Sequence, residues 1–543
     1  MARDREADLA TLRAVHGAAQ SGDFARAAAL ARPALESGLE HPILYNVVAL
    51  NLERHGNVLE AVNLLSRAVE LAPNDMGVRN ALGLCLLRLE RPAEALAQFA
   101  ALLALDPSLP FAHTGHGAAL LALGAITDAE ASYRRALELD RGQNVALAGL
   151  AHIASRRGAY AEARDWAEKA LAAMPDFPDA VMSLAATELG EGTPLKAETR
   201  LRALLANDKL EPLDRAYANG LLGDVLDAED RVTDAFAAYT ACNEALRRIH
   251  ADRFHSAQSA LEYVRAMTDY FERARAEDWK PGAVAGEDHS GVRGHVFLLG
   301  FPRSGTTLLE VILEGHPDVV SLEENESLIH GVHEFMRGPE GFERLSRAPS
   351  AALQPFRQAY WQLVADAGID VAGRTFVDKH PLNTLKLPLI ARLFPDARIV
   401  FACRDPRDVI LSCFRRRFRM SAPMYELLTL DGAARYYDAV MRCNGRLAGV
   451  LALDTCLVRH EDLVTDFAGE MKRICAFLGL EWVPAMGDFG RRTQQRAALT
   501  PSTAQLARGL NTEGIGQWRR YSAQMAPVLP TLDPWVKHFG YEP

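Results

Sequence analysis

The chain has 543 residues, 49% of them hydrophobic and 24% charged, which excludes a disordered polymer and leaves room for roughly two to four packed domains. Seven cysteines without a CxxC pair exclude a disulfide framework and a zinc-finger spacing and fit a reducing compartment. With 60 basic and 70 acidic residues the net charge is −10, so the molecule is not expected to coat nucleic acid, and any anion site must be a local basic pocket. The N-terminal MARDREADLA has no apolar core of a signal peptide, and no run approaches the ~18 apolar residues of a membrane span. A cytoplasmic location is the expectation.

In chain order the first signal is a repeat. Gly22, Gly56, Gly124, Gly158 and Gly192 fall in one 34-residue row, with Glu90 in the remaining place; Ala27, Ala61, Ala95, Ala129, Ala163 and Ala197 form a second row. Pro73, Pro107 and Pro175 form a third, with Arg141 in the gap. Within a unit the apolar residues recur at helical spacing, a glycine separates two helices and the proline ends the second, so each unit is a helical hairpin. Some units carry an aromatic four residues after the alanine, as at Phe99 and Tyr133, and a degenerate last unit has Ala235 and Tyr239. These positions resemble the tetratricopeptide repeat. The resemblance implies an α-solenoid over residues 8–275, with a protein or peptide partner on its concave face. The text WKPGAVAGEDHSGVR has no apolar period and marks a linker over 276–294, with a second domain over 295–543.

That second domain opens with a buried-strand run, HVFLLG, then FPRSGTT, then a helical LLEVILEG. Strand, glycine loop and helix in this order make an oxyanion cradle of backbone N–H groups and a helix N-terminus. Gly300 to Thr307 match a phosphate loop in both glycines and the final threonine, but Thr306 stands where a nucleoside triphosphatase carries lysine, and Arg303 supplies the cation earlier in the loop. An α/β fold with a P-loop-like parallel sheet follows. The phrase FPRSGTTLL resembles the phosphosulfate loop of sulfotransferases, and HPDVVSLEENESL is similar to the tyrosylprotein branch. RIVFACR followed by DPRDVILSCF resembles the family's second strand-to-helix turn, and VRHEDLVTDF with ICAFLGLEW its later strand and helix.

The resemblance implies transfer of the sulfuryl group of 3′-phosphoadenosine 5′-phosphosulfate to a hydroxyl of a protein tyrosine, a glycan or a small molecule. It assigns the 5′-phosphosulfate to Arg303, Ser304, Gly305, Thr306 and Thr307, and the 3′-phosphate to Arg404 and Ser412. Ser502 and Arg519 are the expected contacts from the closing segment, although Gln517 stands where the tyrosylprotein branch has lysine. Glu324 takes the place of the catalytic base and Lys379 that of the cation bridging to the leaving phosphate. Glu323 is a neighbour to be told apart from Glu324, and His380 and His316 compete as bases. The chemistry calls for no metal, and no HExxH or paired-cysteine pattern occurs. His460 replaces the usual adenine-side tyrosine, and Glu326 replaces an acceptor-orienting arginine. Arg415, Arg416, Arg417 and Arg419 are either an attraction for acidic acceptors or a solvated helix face. Two alternatives stay open: an ATP-dependent P-loop kinase, and a repeat-based adaptor with a degenerate nucleotide site.

Overall fold

A computed structural model of the chain describes residues 5–255, 258–280, 291–490, 510 and 512–542. The fold divides into two compact units, one within Met1–Arg200 and the other beginning at Leu201. No helix among the described residues is long and apolar enough to cross a membrane.

The first unit is a series of helical hairpins whose turns follow the 34-residue row. Gly22, Gly56, Gly124, Gly158 and Gly192 all have φ between 76° and 86°. Glu90, in the missing place, is held at φ 55°. Left-handed backbone is what lets the second helix reverse onto the first, and glycine adopts it without strain. Every alanine of the second row from Ala27 to Ala197 is fully buried, because a larger side chain there would separate the paired helices. The aromatic row seats in glycine notches: a Cβ on Gly115 would lie 2.2 Å from the Phe99 ring, and one on Gly149 would lie 2.4 Å from Tyr133.

The second unit starts with one more hairpin, α1 (Pro212–Ala228) and α2 (Val232–Ile249). Its turn residue Asp230, at φ 59°, precedes the buried Ala235 by the same five residues that separate Gly22 from Ala27. The first helix is longer, with 17 residues against 13 for Pro178–Gly190. The helix Ala260–Phe271 and Trp279 then join the core of the sheet domain rather than continue a repeat.

That domain is built on five parallel strands, β1 (Gly294–Gly300), β2 (Val319–Glu323), β3 (Thr375–Lys379), β4 (Arg398–Cys403) and β5 (Thr455–Arg459), in the order β2-β3-β1-β4-β5. The central strands are apolar on both faces, as a parallel sheet covered on both sides requires. Val296 and Leu298 belong to one core with Val377 and Val400, whereas Phe297 and Leu299 belong to the other with Phe376 and Phe401. Two helices follow strand ends directly, α3 (Thr306–Leu313) after β1 and α4 (Pro406–Arg415) after β4. In such sheets a ligand crevice forms at the carboxyl ends of the strands where the order reverses, here at β1 between β3 and β4.

Candidate active site

The carboxyl ends of all five strands supply residues to one polar region. Gly300 ends β1 where the backbone of β4 leaves no room, since a Cβ there would sit 2.5 Å from the Ala402 carbonyl oxygen. The Thr384 hydroxyl donates to the Gly300 carbonyl at 2.9 Å and fixes the start of the loop. Arg303 then takes φ 72° and Gly305 φ 95°, two left-handed residues that turn the loop into α3. Such backbone in an arginine costs about 1–3 kcal/mol and persists where the surroundings over-determine it. Ser304 and Thr306 are buried, and Thr307 is partly so. No side chain caps the N-terminus of α3, so its first N–H groups are left for an anion.

Arg303 donates from Nε to the Ser412 Oγ on α4 at 3.0 Å, so a residue of the loop and one of the second turn meet in space. Burial pushes the Arg303 guanidinium down to about 10, and the neighbouring Arg416 and Arg404 add to this. Three arginines gathered at the carboxyl end of the sheet make a locally basic region that attracts an anion. Arg404 approaches the Arg303 carbonyl at 3.4 Å and donates to the Gly514 carbonyl, which ties it to the closing segment. Its buried Nε has no hydrogen-bond partner among the described residues, and neither has Nδ1 of His460. His460 lies against the loop, because a Cβ on Gly305 would come 2.8 Å from its Nδ1. Burial, with Arg404 and Arg303 nearby, lowers this imidazole to about 3, so it is neutral and presents a lone pair or an N–H. The glycine cradle, the uncapped helix and the two orphaned nitrogens fit a phosphate-bearing ligand.

On the other side of β1 stands Lys379, fully buried at the end of β3. Its Nζ is 2.8 Å from Glu324 Oε1 and 3.4 Å from carboxylate oxygens of both Glu323 and Glu310. The backbone N–H of Glu324 donates to the Lys379 carbonyl at 2.8 Å and holds that residue at φ 38°. The Glu324 side chain is about half exposed, unlike Glu310 on α3, which is wholly buried. Partial burial works against the Glu324 charge, but Lys379 outweighs it and holds the carboxyl below the ordinary range. Burial likewise works against the Lys379 charge, and its three carboxylates, Glu310 foremost, hold the ammonium above its usual value. An exposed carboxylate paired with a buried cation can accept a proton from an incoming hydroxyl.

Each competing histidine has a partner of its own. The buried His316 accepts from the Asp318 N–H at 3.1 Å, closing a turn. His380 Nε2 is 3.3 Å from Glu326 Oε1, and Lys386 Nζ is 2.5 Å from Glu326 Oε2. The hydrogen bond with His380 and the charge of Lys386 hold the Glu326 carboxyl far below the ordinary range, against burial. Arg519 is exposed, with its guanidinium 5.3 Å from the centre of the Trp518 ring. Ser502 lies outside the described residues. The arginine run is neither solvated nor free for an acceptor at two of its positions, since Arg415 pairs with Asp227 and Arg417 with Asp224, both on α1. Sequence reasoning missed Glu310, whose signal is a lone carboxylate inside the apolar run of α3, and Asp408, which accepts from the Gly516 N–H at 2.6 Å and the Trp518 N–H at 2.9 Å.

Residues 295–484 match the sulfotransferase family, and residues 12–75, 48–110 and 114–178 match the tetratricopeptide repeat. The chain carries tetratricopeptide repeats followed by a sulfotransferase domain. It is 24% identical over 46% of its length to protein-tyrosine sulfotransferase 1 of Danio rerio, of which it covers 72%. An uncharacterized protein of Aquifex aeolicus is 24% identical over 72% of this chain, and the match spans 50% of that protein's own length. Among solved structures, the sulfotransferase domain of the Synechococcus PCC 7002 olefin synthase is 24% identical, covers 48% of this chain and 100% of its own, and has a TM-score of 0.35. The sulfotransferase domain places Arg303 and Ser412 together and Lys379 with Glu324. Among the described residues no cluster of three or more His, Cys, Asp or Glu side chains is placed to hold a metal ion.

Proposed function

We propose that the chain is a sulfotransferase that uses 3′-phosphoadenosine 5′-phosphosulfate and transfers its sulfuryl group to an acceptor hydroxyl. The observation that carries this reading is the 2.8 Å Lys379–Glu324 pair beside a phosphate loop that has Thr306 in place of lysine and gathers Arg303, Ser412 and Arg404. When bound, the donor supplies an electrophilic sulfur whose bond to the phosphate oxygen breaks as the bond to the acceptor oxygen forms. The loop N–H groups from Ser304 to Thr307 and the Arg303 guanidinium hold the 5′-phosphosulfate, and Arg404 and Ser412 hold the 3′-phosphate. His460, neutral and packed on Gly305, borders the adenine side. Glu324 takes the proton of the acceptor hydroxyl, and Lys379 offsets negative charge on the leaving phosphate oxygen. Glu326 puts a carboxylate at this position and engages Lys386 and His380, which disfavours an acidic peptide there, so acceptors other than acidic tyrosine peptides belong in the first screen. The repeats present a protein or peptide partner, and the cytoplasm is the proposed location.

Calorimetric titration with adenosine 3′,5′-bisphosphate and, separately, magnesium-ADP tests the donor. Binding of the bisphosphate that weakens by more than about tenfold in Arg404→Ala, with little ADP binding, is the expected result. Equal or tighter binding of magnesium-ADP would refute it in favour of a kinase. Glu324→Gln is expected to keep bisphosphate affinity while turnover falls by about two to four orders of magnitude; unchanged turnover would remove Glu324 from the base role.

A further inference from the structure

The hairpin α1–α2 reads as a repeat, yet its carboxylates are spent on the donor side of the transferase. Asp227, near the end of α1, is the meeting point. Its carboxylate accepts from Arg415 at the end of α4, from the Tyr521 hydroxyl at 2.7 Å and from Arg520 NH1 at 3.0 Å. The Asp227 carbonyl takes a further hydrogen bond from Arg520 NH2 at 3.1 Å. Three elements therefore meet on one residue: α1, the end of α4, and the strap of residues 512–521.

The strap has its other attachments along the same helix. Asp408, in the first turn of α4, accepts from the Gly516 and Trp518 N–H groups, and the Arg407 guanidinium lies 4.2 Å from the Trp518 ring. Arg404, just before α4, donates to the Gly514 carbonyl. A strap pinned to α4 at its start and middle is thus pinned at its end through Asp227. The chemistry of the bonds sets their worth, since guanidinium–carboxylate pairs removed from water are lost at a large cost when one partner is deleted. The side chain of Asp227 is 12% exposed and that of Arg415 is 17% exposed, so solvent does not screen this pair as it would a surface one.

We propose that Asp227 is a positioning residue of the donor site: it fixes the strap against α4 and so holds Arg404, through Gly514, in the orientation that meets the donor's 3′-phosphate. This rests on the donor reading above. The last hairpin is then a working part of the transferase, not a spacer between it and the repeats, and Asp227 acts at a distance through Arg415, Arg520 and Tyr521. No group of the hairpin needs to touch the donor.

The test uses the full chain, with Asp227→Asn, Tyr521→Phe, the pair combined, and Asp234→Asn, which breaks only the outer Arg231 ion pair of the same hairpin, as reference. Two readouts are taken: affinity for adenosine 3′,5′-bisphosphate by calorimetry, and hydrogen exchange of the Gly516 and Trp518 amides. Asp227→Asn is expected to weaken the bisphosphate by about tenfold or more and to speed exchange of both amides. Tyr521→Phe, which deletes one hydrogen bond, is expected to give roughly a threefold loss, less than additive with Asp227→Asn. Asp227→Glu is expected to restore part of the affinity. Bisphosphate affinity and amide exchange equal to those of Asp234→Asn, whatever the change in thermal midpoint, would overturn the proposal and leave Asp227 a purely structural residue. Should Asp227→Asn fail to fold, Tyr521→Phe decides alone, and its unchanged affinity and exchange would overturn the proposal. Absence of bisphosphate binding by the wild type itself would instead remove the donor reading, and this proposal with it.

Discussion

Lys379→Met gives the sharpest test of how the site is held together. The substitution keeps the length of the side chain and removes an ammonium that lies 2.8 Å from a carboxylate oxygen of Glu324 and 3.4 Å from those of Glu310 and Glu323. Glu310 has no exposed surface, so it cannot recover water in exchange. Removing one partner of a buried pair costs about 3–5 kcal/mol. Glu310 must instead take a proton to stay buried, and the cost therefore depends on pH. In the wild type the carboxylates hold Lys379 above its ordinary pKa despite burial, so its contribution is complete below the unfolded value and is lost only as pH rises beyond it. The wild-type contribution of this lysine is flat at neutral pH. In the variant, protonation of Glu310 in the folded state returns stability as pH falls, by up to about 1.4 kcal/mol for each pH unit. The gap between variant and wild type is then about 4 kcal/mol near pH 8 and narrows by about 2 kcal/mol toward pH 5. Lys379→Met/Glu310→Gln removes the buried charge as well and should recover about 2 kcal/mol at the higher pH. Urea unfolding followed by tryptophan fluorescence is the assay, because Trp279, Trp361, Trp482, Trp518 and Trp535 all lie beyond residue 201 and only Trp166 before it. A single variant within about 1 kcal/mol of wild type near pH 8, or a double variant no more stable than the single, would refute the reasoning.

Other substitutions test separate parts of the structure. Gly305→Ala places a methyl group at φ 95° and 2.8 Å from His460 Nδ1, so it should cost more than about 1 kcal/mol and weaken bisphosphate binding together; wild-type behaviour in both measurements would show that the loop tolerates a side chain there. Burial raises the Asp378 carboxyl to about 6 against the opposing hydrogen bond from Tyr360, so the stability it contributes is full below its unfolded pKa and lost as pH rises through about 6. Relative to Asp378→Asn, the wild type should therefore lose about 2–3 kcal/mol between about pH 4 and pH 7 in urea titrations, and a parallel pair of pH profiles would contradict this. Glu90→Gly relieves a left-handed glutamate at φ 55° and should raise the unfolding free energy of the repeats by about 1 kcal/mol in urea; a loss would show that the side chain of Glu90 is worth more than its backbone strain.

The phosphate loop and the repeats were legible because both are encoded by order and spacing over short stretches. Gly300 and Gly305 bracket a strand-to-helix turn whatever surrounds it, and a 34-residue row of turn residues reports its own left-handed backbone, even at Glu90. The family resemblance singled out Lys379 and Glu324 one by one, not their pairing, and it did not reach Glu310, because one carboxylate in an apolar helix looks the same whether it faces a partner or water. The arginine run shows the limit most clearly. Arg415 and Arg417 find their carboxylates 188 and 193 residues earlier, on α1, a separation over which no periodicity reaches. The repeat register is silent on the same point. Asp230 and Ala235 keep the spacing of a repeat turn, but that spacing fixes how two helices of a hairpin meet, not which neighbour the hairpin packs against.

A fragment beginning at residue 295 would leave Arg415 and Arg417 at the end of α4 without Asp227 and Asp224 and would strip Ala260, Leu261, Val264, Met267 and Phe271 from the sheet-domain core. Burying one such apolar side chain contributes about 1.5–3 kcal/mol, so losing the four larger ones together costs about 6–12 kcal/mol, comparable to the whole stability of an ordinary domain, about 5–15 kcal/mol. A fragment beginning near residue 201 keeps the paired carboxylates and the helix. It is expected to be soluble with a cooperative urea transition, whereas the shorter one is expected to aggregate or to melt without cooperativity. Equal solubility and equal transitions in the two fragments would mean that the hairpin and the helix Ala260–Phe271 rest on the sheet domain without supporting it.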